Sequence, residues 1–400
     1  MKTIRIFGTR GLIPILAAAF GVSVGFASPA FARDQAVIVN PDGKVTYLGT
    51  LGGSFITPSG INDAGQVVGY STTADHVYHA FITGPNGQGM TDLGTLGGGP
   101  SFALGINDPG QVVGYVDYGG PGGTTSRPFI TGPNGKGMTH LGTLDGRAFD
   151  INNSGQVAGD SVTANGSSRA FITGPNGKGM TDLGVLHSGS DFGHSHASGV
   201  NNSGQVVGYS TYTSSSLSVH AIITGPDGKG MTDLGTLGRG DSHAIGINDS
   251  GQVVGYSGKK ELDPFGNLVD QAAFITGPNG VGMTDLGPSG GVQSVAYDIN
   301  DSGQVVGWSE TADGYGSSYA FITGPDGKGM IDINSYADLP DGVFVGGLTG
   351  INNLGQVIGV LYTIPPIPEP ASYALMLAGF GLVGFMARRK KPAANTVSRS

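Results

Sequence analysis

The chain has 400 residues, no Cys, 75 Gly and only 12% charged residues, with a formal net charge of −9 at pH 7. The glycines follow no Gly-X-Y period, which excludes collagen, and a chain without Cys gains nothing from disulfides if exported. The basic residues crowd the two ends, leaving the stretch between residues 33 and 370 with 12 basic and 29 acidic side chains. An acidic body of that kind repels phosphate backbones and argues against nucleic acid as a partner.

Residues 1–32 read as a secretory signal. Lys2, Arg5 and Arg10 supply a positive start, an apolar stretch runs from about Leu12 to Phe26, and Ala30-Phe31-Ala32 offers an A-x-A cleavage site. Cleavage by signal peptidase after Ala32 starts the mature chain near Arg33, and the segment is set aside from the folded body.

Residues 33–363 repeat one theme seven times. "INDAGQVVGYS" at Ile61 recurs with variations at Ile106, Ile151, Val200, Ile247, Ile299 and Ile351, spaced by 45, 45, 49, 47, 52 and 52 residues. A second element, "HAFITGPNGQGMTDLG" at His79, alternates with it, and its variants begin at Ala36, Arg127, Arg169, His220, Ala272 and Tyr319. Each unit of about 47 residues predicts four short strands. "AFIT" and "MTDLG" flank a Gly-Pro-Asn-Gly reversal, and "GIN" and "QVVGYS" flank a turn built on Asp or Asn with Gly. Adjacent apolar residues such as Val67 and Val68 predict sheets covered on both faces. The expected fold class is therefore all-β, a seven-bladed β-propeller of four-stranded repeats, with an open β-solenoid as the alternative.

The repeat resembles the HAF family of extracellular bacterial repeats, named for a His-Ala-Phe that stands here at His79-Ala80-Phe81. The resemblance implies export and a surface location and brings no established chemistry. His79 is replaced by Arg, Ala or Tyr in sister units, an improbable fate for a catalytic base.

In a four-stranded meander the two reversals of each unit lie on one edge and stay nearly constant. The length variation falls on the opposite edge, in Asp117–Ser126, His187–Ser198, Lys259–Gln271 and Glu310–Ser318, and that edge is the expected ligand face. His187, Asp191, His194 and His196 share one such loop and form a candidate metal site, against the plainer reading of solvated loop histidines. The repeated "INDSG" and "GPDGKG" lack the spacing of a calcium loop and read as capped turns. Non-repeated acids (Asp145, Asp150, Asp191, Asp241, Glu261, Asp263) offer carboxylates for glycoside cleavage, but nothing in the sequence pairs them. Tyr70, Tyr115, Tyr209, Tyr256 and Trp308 end the repeated motif, and the choice there is between blade packing and stacking on sugar rings.

The C-terminal residues 364–400 carry a different code. Pro368-Glu369-Pro370 precedes 17 uncharged residues, 371–387, enough for a transmembrane helix of about 25 Å. Arg388, Arg389, Lys390 and Lys391 follow as a stop cluster that stays cytoplasmic. This arrangement resembles a PEP-CTERM sorting signal, and the resemblance implies recognition by an exosortase, a membrane-embedded cysteine peptidase, with cleavage near the triplet. The resemblance also implies an exopolysaccharide-making Gram-negative bacterium as the source. The tail from Pro392 to Ser400 is longer than that pattern requires. The expectation is an exported, non-catalytic surface protein that needs no cofactor and contacts extracellular polysaccharide or another envelope protein. Its membrane contact runs through the C-terminal helix, at least transiently. The rival is a secreted polysaccharide hydrolase or lyase on the same scaffold.

Overall fold

The computed structural model describes residues 35–363, apart from 121–122, 143–144, 165, 187–192, 212–217, 260–270, 288–292 and 312–317. The signal segment 1–32, the Pro368-Glu369-Pro370 triplet, the apolar run 371–387 and the basic cluster 388–391 lie outside the described residues.

The strands form seven antiparallel sheets of four, set around one axis as the blades of a propeller. In blade 1 the innermost strand is Gly52–Ile61, followed outward by Val67–Thr73, Tyr78–Thr83 and Met90–Gly94. The innermost strands of blades 2 to 6 are Ser101–Ile106, Gly146–Ile151, Ser195–Val200, Gly238–Ile247 and Ser294–Ile299. Blade 7 is shared between the two ends of the folded chain. Val343–Ile351 and Val357–Thr363 form its inner half, and Gln35–Val39 and Val45–Tyr47 complete it on the outside. Each blade therefore begins half a sequence unit later than the repeat, and the ring closes by hydrogen bonds between Gln35–Val39 and Val357–Leu361.

Local chemistry fixes the reversals. In "GPNG" the Pro enters the turn, and Asn86 takes the left-handed conformation at φ 52° and ψ 36°. Asn or Asp occupies that position in six blades, since a short polar side chain tolerates the conformation. The two reversals of a blade dock on each other: Gly87 N–H donates to Gly65 O at 2.9 Å, and five further blades repeat the bond. Gly155 shows why Gly is needed there, with φ at +79° and room for a Cβ only 2.7 Å from Asn176 N. The Thr that ends "AFIT" also has a fixed task. Thr83 Oγ1 accepts the Val67 N–H at 2.8 Å, closing the sheet where the ladder stops.

Seven apolar clusters hold the ring, one at each boundary between neighbouring blades. At the boundary of blades 1 and 2, Val68, Ala80 and Ile82 meet Ala103, Val112 and Phe129. At the boundary of blades 7 and 1, Val67 and Phe81 meet Ala36, Ile38 and Ile358. The two valines of "QVV" thus serve opposite faces of one sheet, which explains why the strands read as apolar on both sides. Fully buried side chains of this size each contribute about 1.5–3 kcal/mol. None of the seven clusters fills the axis, where glycines, Ser and Asp share the wall with Leu104, Phe149, Ile245 and Tyr297.

Candidate functional site

Two edges and the channel between them define the places where chemistry is possible. At the constant edge, seven buried Asn side chains (62, 107, 152, 201, 248, 300 and 352) form a closed circle of hydrogen bonds. Each Nδ2 donates to the Asn carbonyl of the next blade at 2.9–3.1 Å, and Asn352 returns to Asn62 O. The same amide donates to the Gln of its own turn, as from Asn62 to Gln66 Oε1 at 2.9 Å, while Asn62 Oδ1 accepts the Gln66 N–H. A second circle follows from the next residue. Asp63 N–H donates to Asp108 Oδ1, and the relay passes through Asn153, Asn202, Asp249, Asp301 and Asn353 back to Asp63. These circles make "IND" and "INN" structural bolts, and they read as capped turns only when a single repeat is considered.

The channel behind this ring widens into a cavity of about 300 Å³. All seven innermost strands carry a β-bulge at its wall, where five blades place Gly. The other two place Asp150 and Asp298. Asp150 accepts from Ile151 N and Val200 N, both at 2.8 Å, and Asp298 accepts from Ile299 N and Ile351 N, both at 2.9 Å. Each carboxyl therefore ties its blade to the next one. Both carboxyls line the cavity and are only partly exposed, and burial pushes Asp150 up to about 6. Asp298 rises to about 7, through burial first and the charge of Asp150 last, against two backbone donors. Sequence reasoning had Asp150 among its unpaired acids and missed Asp298, whose position in "YDIND" gives no sign of an axial location.

The variable edge carries an aromatic belt. Tyr70 of blade 1 meets Phe102 of blade 2 at 5.0 Å, and Phe102 stacks on Tyr115 at 4.9 Å. Arg147 of blade 3 lies over Tyr115 at 4.7 Å from the ring centre. Phe149 of blade 3 then meets His196 of blade 4 at 4.5 Å, His196 stacks on Tyr209 at 4.9 Å, and Tyr209 meets His243 at 4.5 Å. His243 stacks on Tyr256 at 4.8 Å, and in blade 6 Trp308 Nε1 donates to the Tyr297 hydroxyl at 3.1 Å. All of these rings keep part of their surface exposed. Burial pushes His243 below its ordinary value, with His196 adding to the effect and Asp241 opposing it. The repeated Tyr and Trp do pack, on rings of their own blade and, for Tyr70, Tyr115 and Tyr209, on Phe102, Arg147 and His243 of the next, and they stay partly exposed.

Other predicted residues fall as follows. His196 Nδ1 lies 3.0 Å from Asp160 Oδ2, and His194 Nδ1 accepts from Ser168 N at 3.2 Å. His187 and Asp191 lie outside the described residues, as do Glu261 and Asp263. Among the described residues no group of three or more His, Cys, Asp or Glu is placed to hold a metal ion. Asp145 sits 4.0 Å from Arg127, and Asp241 accepts from Val219 N. The segment Asp117–Ser126 continues the second and third strands of blade 2 as a longer hairpin, pairing Asp117 with Ser126. His79 and His220 have plain partners, Asp92 at 2.8 Å and Asp233 at 3.0 Å on the outermost strands. In blade 5, where Ala272 takes the His position, Lys259 supplies the cation to Asp285 at 2.8 Å.

Residues 366–390 match the PEP-CTERM protein-sorting motif. No curated protein matches the chain. Similar solved structures include the β-propeller domain of the Trilobed protease from Pyrococcus furiosus, with 9% identity, a TM-score of 0.47 and coverage of 79% of this chain and 97% of that one. Two others are a puromycin-hydrolyzing peptidase from Mycobacterium tuberculosis (11%, 0.48, 77% and 53%) and TolB from Acinetobacter baumannii (12%, 0.41, 65% and 65%). These likenesses carry nothing about chemistry. The chain joins a seven-bladed propeller to an exosortase sorting signal, which makes it an exported protein directed to the cell envelope or surface.

Proposed function

We propose that the protein is a non-catalytic binder of extracellular polysaccharide, and that the polymer lies along the aromatic belt of the variable edge. The belt carries this reading: partly exposed rings recur from blade to blade, with Arg147, Asp160, His196 and His243 as polar neighbours. Aromatic faces suit sugar rings, and repetition along an arc suits a chain of similar residues. The test is titration of the folded body with neutral and acidic polysaccharide fragments, comparing Tyr115→Ala and Tyr209→Ala with the parent chain. Each substitution is expected to weaken binding at least 5-fold. Binding unchanged by both would remove the belt from the reading.

Asp150 and Asp298 favour a second reading, a polysaccharide hydrolase or lyase, because two carboxyls titrating near neutral pH in one cavity suit acid–base work. Their oxygens already accept backbone N–H groups from neighbouring blades, so they serve first as bolts. Turnover of a labelled polysaccharide that vanishes in Asp298→Asn, with the fold intact, would establish the enzyme.

A further inference from the structure

One position on the innermost strands of blades 1 to 6 lies along the belt, and it holds Thr57, Phe102, Arg147, His196, His243 and Val295 in turn. Each pairs with the residue that ends the repeated motif on the next strand, a Tyr or Trp in five blades and Asp160 in blade 3. Arg147 is the one member of the six with a permanent positive charge. The two charges of blade 3 do not neutralise each other. Asp160 Oδ2 lies 3.0 Å from His196 Nδ1 of blade 4 and accepts the Ser168 hydroxyl at 3.3 Å. Arg147 reaches the other way, over Tyr115 of blade 2 at 4.7 Å from the ring centre. Its side chain is exposed, and among the described residues no hydrogen bond or ion pair uses its N–H groups or the Tyr115 hydroxyl. Neighbouring acids are already engaged: Asp117 accepts the Ser126 hydroxyl at 2.7 Å, and Asp145 lies 4.0 Å from Arg127.

We infer that the polymer bound along the belt is acidic, and that Arg147, held over Tyr115, receives the carboxylate of a uronic-acid sugar. This holds only if the belt binds polysaccharide, as proposed above, and it names the class of polymer: uronate chains, not neutral ones. A guanidinium presents its N–H donors in one plane, matched to the two oxygens of a carboxylate. The aromatic ring under that plane fixes it before any ligand arrives, so less freedom is lost on binding. The unused Tyr115 hydroxyl is left for a ring hydroxyl of the same sugar. Binding is wholly non-covalent. Between residues 33 and 370 the chain has 29 acidic and 12 basic side chains, so most of the surface repels an acidic polymer. Arg147 therefore sets where the polymer lies and which polymer is accepted. Arg127 is the natural comparison, since its guanidinium lies over Tyr118 at 5.2 Å but already faces Asp145.

The full chain in mild detergent is titrated with fragments of polygalacturonate and alginate, and with the same fragments after reduction of their carboxyl groups to alcohols. The parent is expected to bind at least one acidic fragment about 10-fold or more tightly than its reduced counterpart. Arg147→Gln should bring that ratio below about 3, whereas Arg127→Gln should leave it above about 5. Both arginines are exposed, so each variant is expected to keep the parent's Tm. Raising the salt from ~0.05 to ~0.5 M should shrink the parent's ratio and leave that of Arg147→Gln unchanged. Equal binding of acidic and reduced fragments, or a preference that survives Arg147→Gln, would overturn the inference and leave the belt as a surface for neutral polymer. A preference lost equally in both variants would overturn it too, as a plain effect of net charge. A parent that binds neither form would remove the belt reading, and the inference with it.

Discussion

Replacing Asn201 by Ala tests the hydrogen-bonded circle at the constant edge. The Asn201 amide donates to Gln205 Oε1 at 2.8 Å and to Asn248 O at 3.1 Å, and its oxygen accepts the Gln205 N–H at 3.0 Å. All of this is buried, Asn201 itself being 4% exposed. Truncation removes all three bonds, at ~0.5–1.5 kcal/mol each, and leaves the buried Gln205 N–H without a partner at ~1–3 kcal/mol, while Asn248 O keeps the Gly251 N–H and Gln205 Oε1 keeps the Ser203 hydroxyl. A loss of about 3 kcal/mol is expected. With an unfolding entropy of ~2.1 cal/mol/K per residue over about 330 residues, this lowers Tm by about 4 °C. Thermal unfolding followed by near-UV circular dichroism reads the shift, with Lys178→Ala, an exposed turn residue, as the control. Equal Tm values for the two variants would refute the idea that the circle ties blade to blade.

Three further expectations follow from the packing. Asp150 and Asp298 have folded values raised above the ordinary carboxyl, to about 6 and about 7, so the native form keeps protons that the unfolded chain has released. Their contribution to stability is full below about pH 4 and is lost as pH rises to about 7, amounting to a few kcal/mol. Urea unfolding between pH 4.5 and 8 should show this fall in the parent and a flattened profile in the Asp150→Asn/Asp298→Asn double variant. A parent profile that rises across that window would contradict the assignment. Gly155→Ala should cost more than about 2 kcal/mol, because a left-handed backbone meets a Cβ contact of 2.7 Å with Asn176 N. Gly142→Ala, also at positive φ but with open space around it, should cost about 1 kcal/mol, and equal losses in denaturant titration would discount the contact. Ser242→Ala removes the hydroxyl that accepts from Ala221 N at 2.8 Å and donates to Gly235 O at 2.6 Å across blades 4 and 5. A loss of about 2 kcal/mol is expected by the same titration, and no loss would mean that the bridge is idle.

Much of the fold was legible because its information is local and repeated. "GPNG" and "INDSG" announce reversals through residues that tolerate positive φ, and seven copies announce a ring. The frame of the blades was not legible, because a repeating meander has no intrinsic start. Only the pairing of Gln35–Val39 with Val357–Leu361 decides it, and that pairing joins segments more than 300 residues apart. The same limit hid the Asn circle, since Asn62 reads as a turn cap until the carbonyl of Asn107 is seen beside it. Asp298 was missed because its bulge and its axial position arise from the ring. Ser101 shows a rule that emerges from comparing the units. It accepts the N–H of Ala80, whereas the corresponding positions one blade on are Gly146 and Pro128, and Pro128 has no N–H to offer.

The central claim is that the chain is a precursor whose C-terminal address is read and removed, leaving a propeller at the cell surface. The most direct test is the intact mass of the protein recovered from its native host, with the fraction in which it is found. A C-terminus near Glu369 or Pro370, on protein in the surface or extracellular fraction, is the expected result. A C-terminus at Ser400, on protein retained in the membrane fraction, would contradict it.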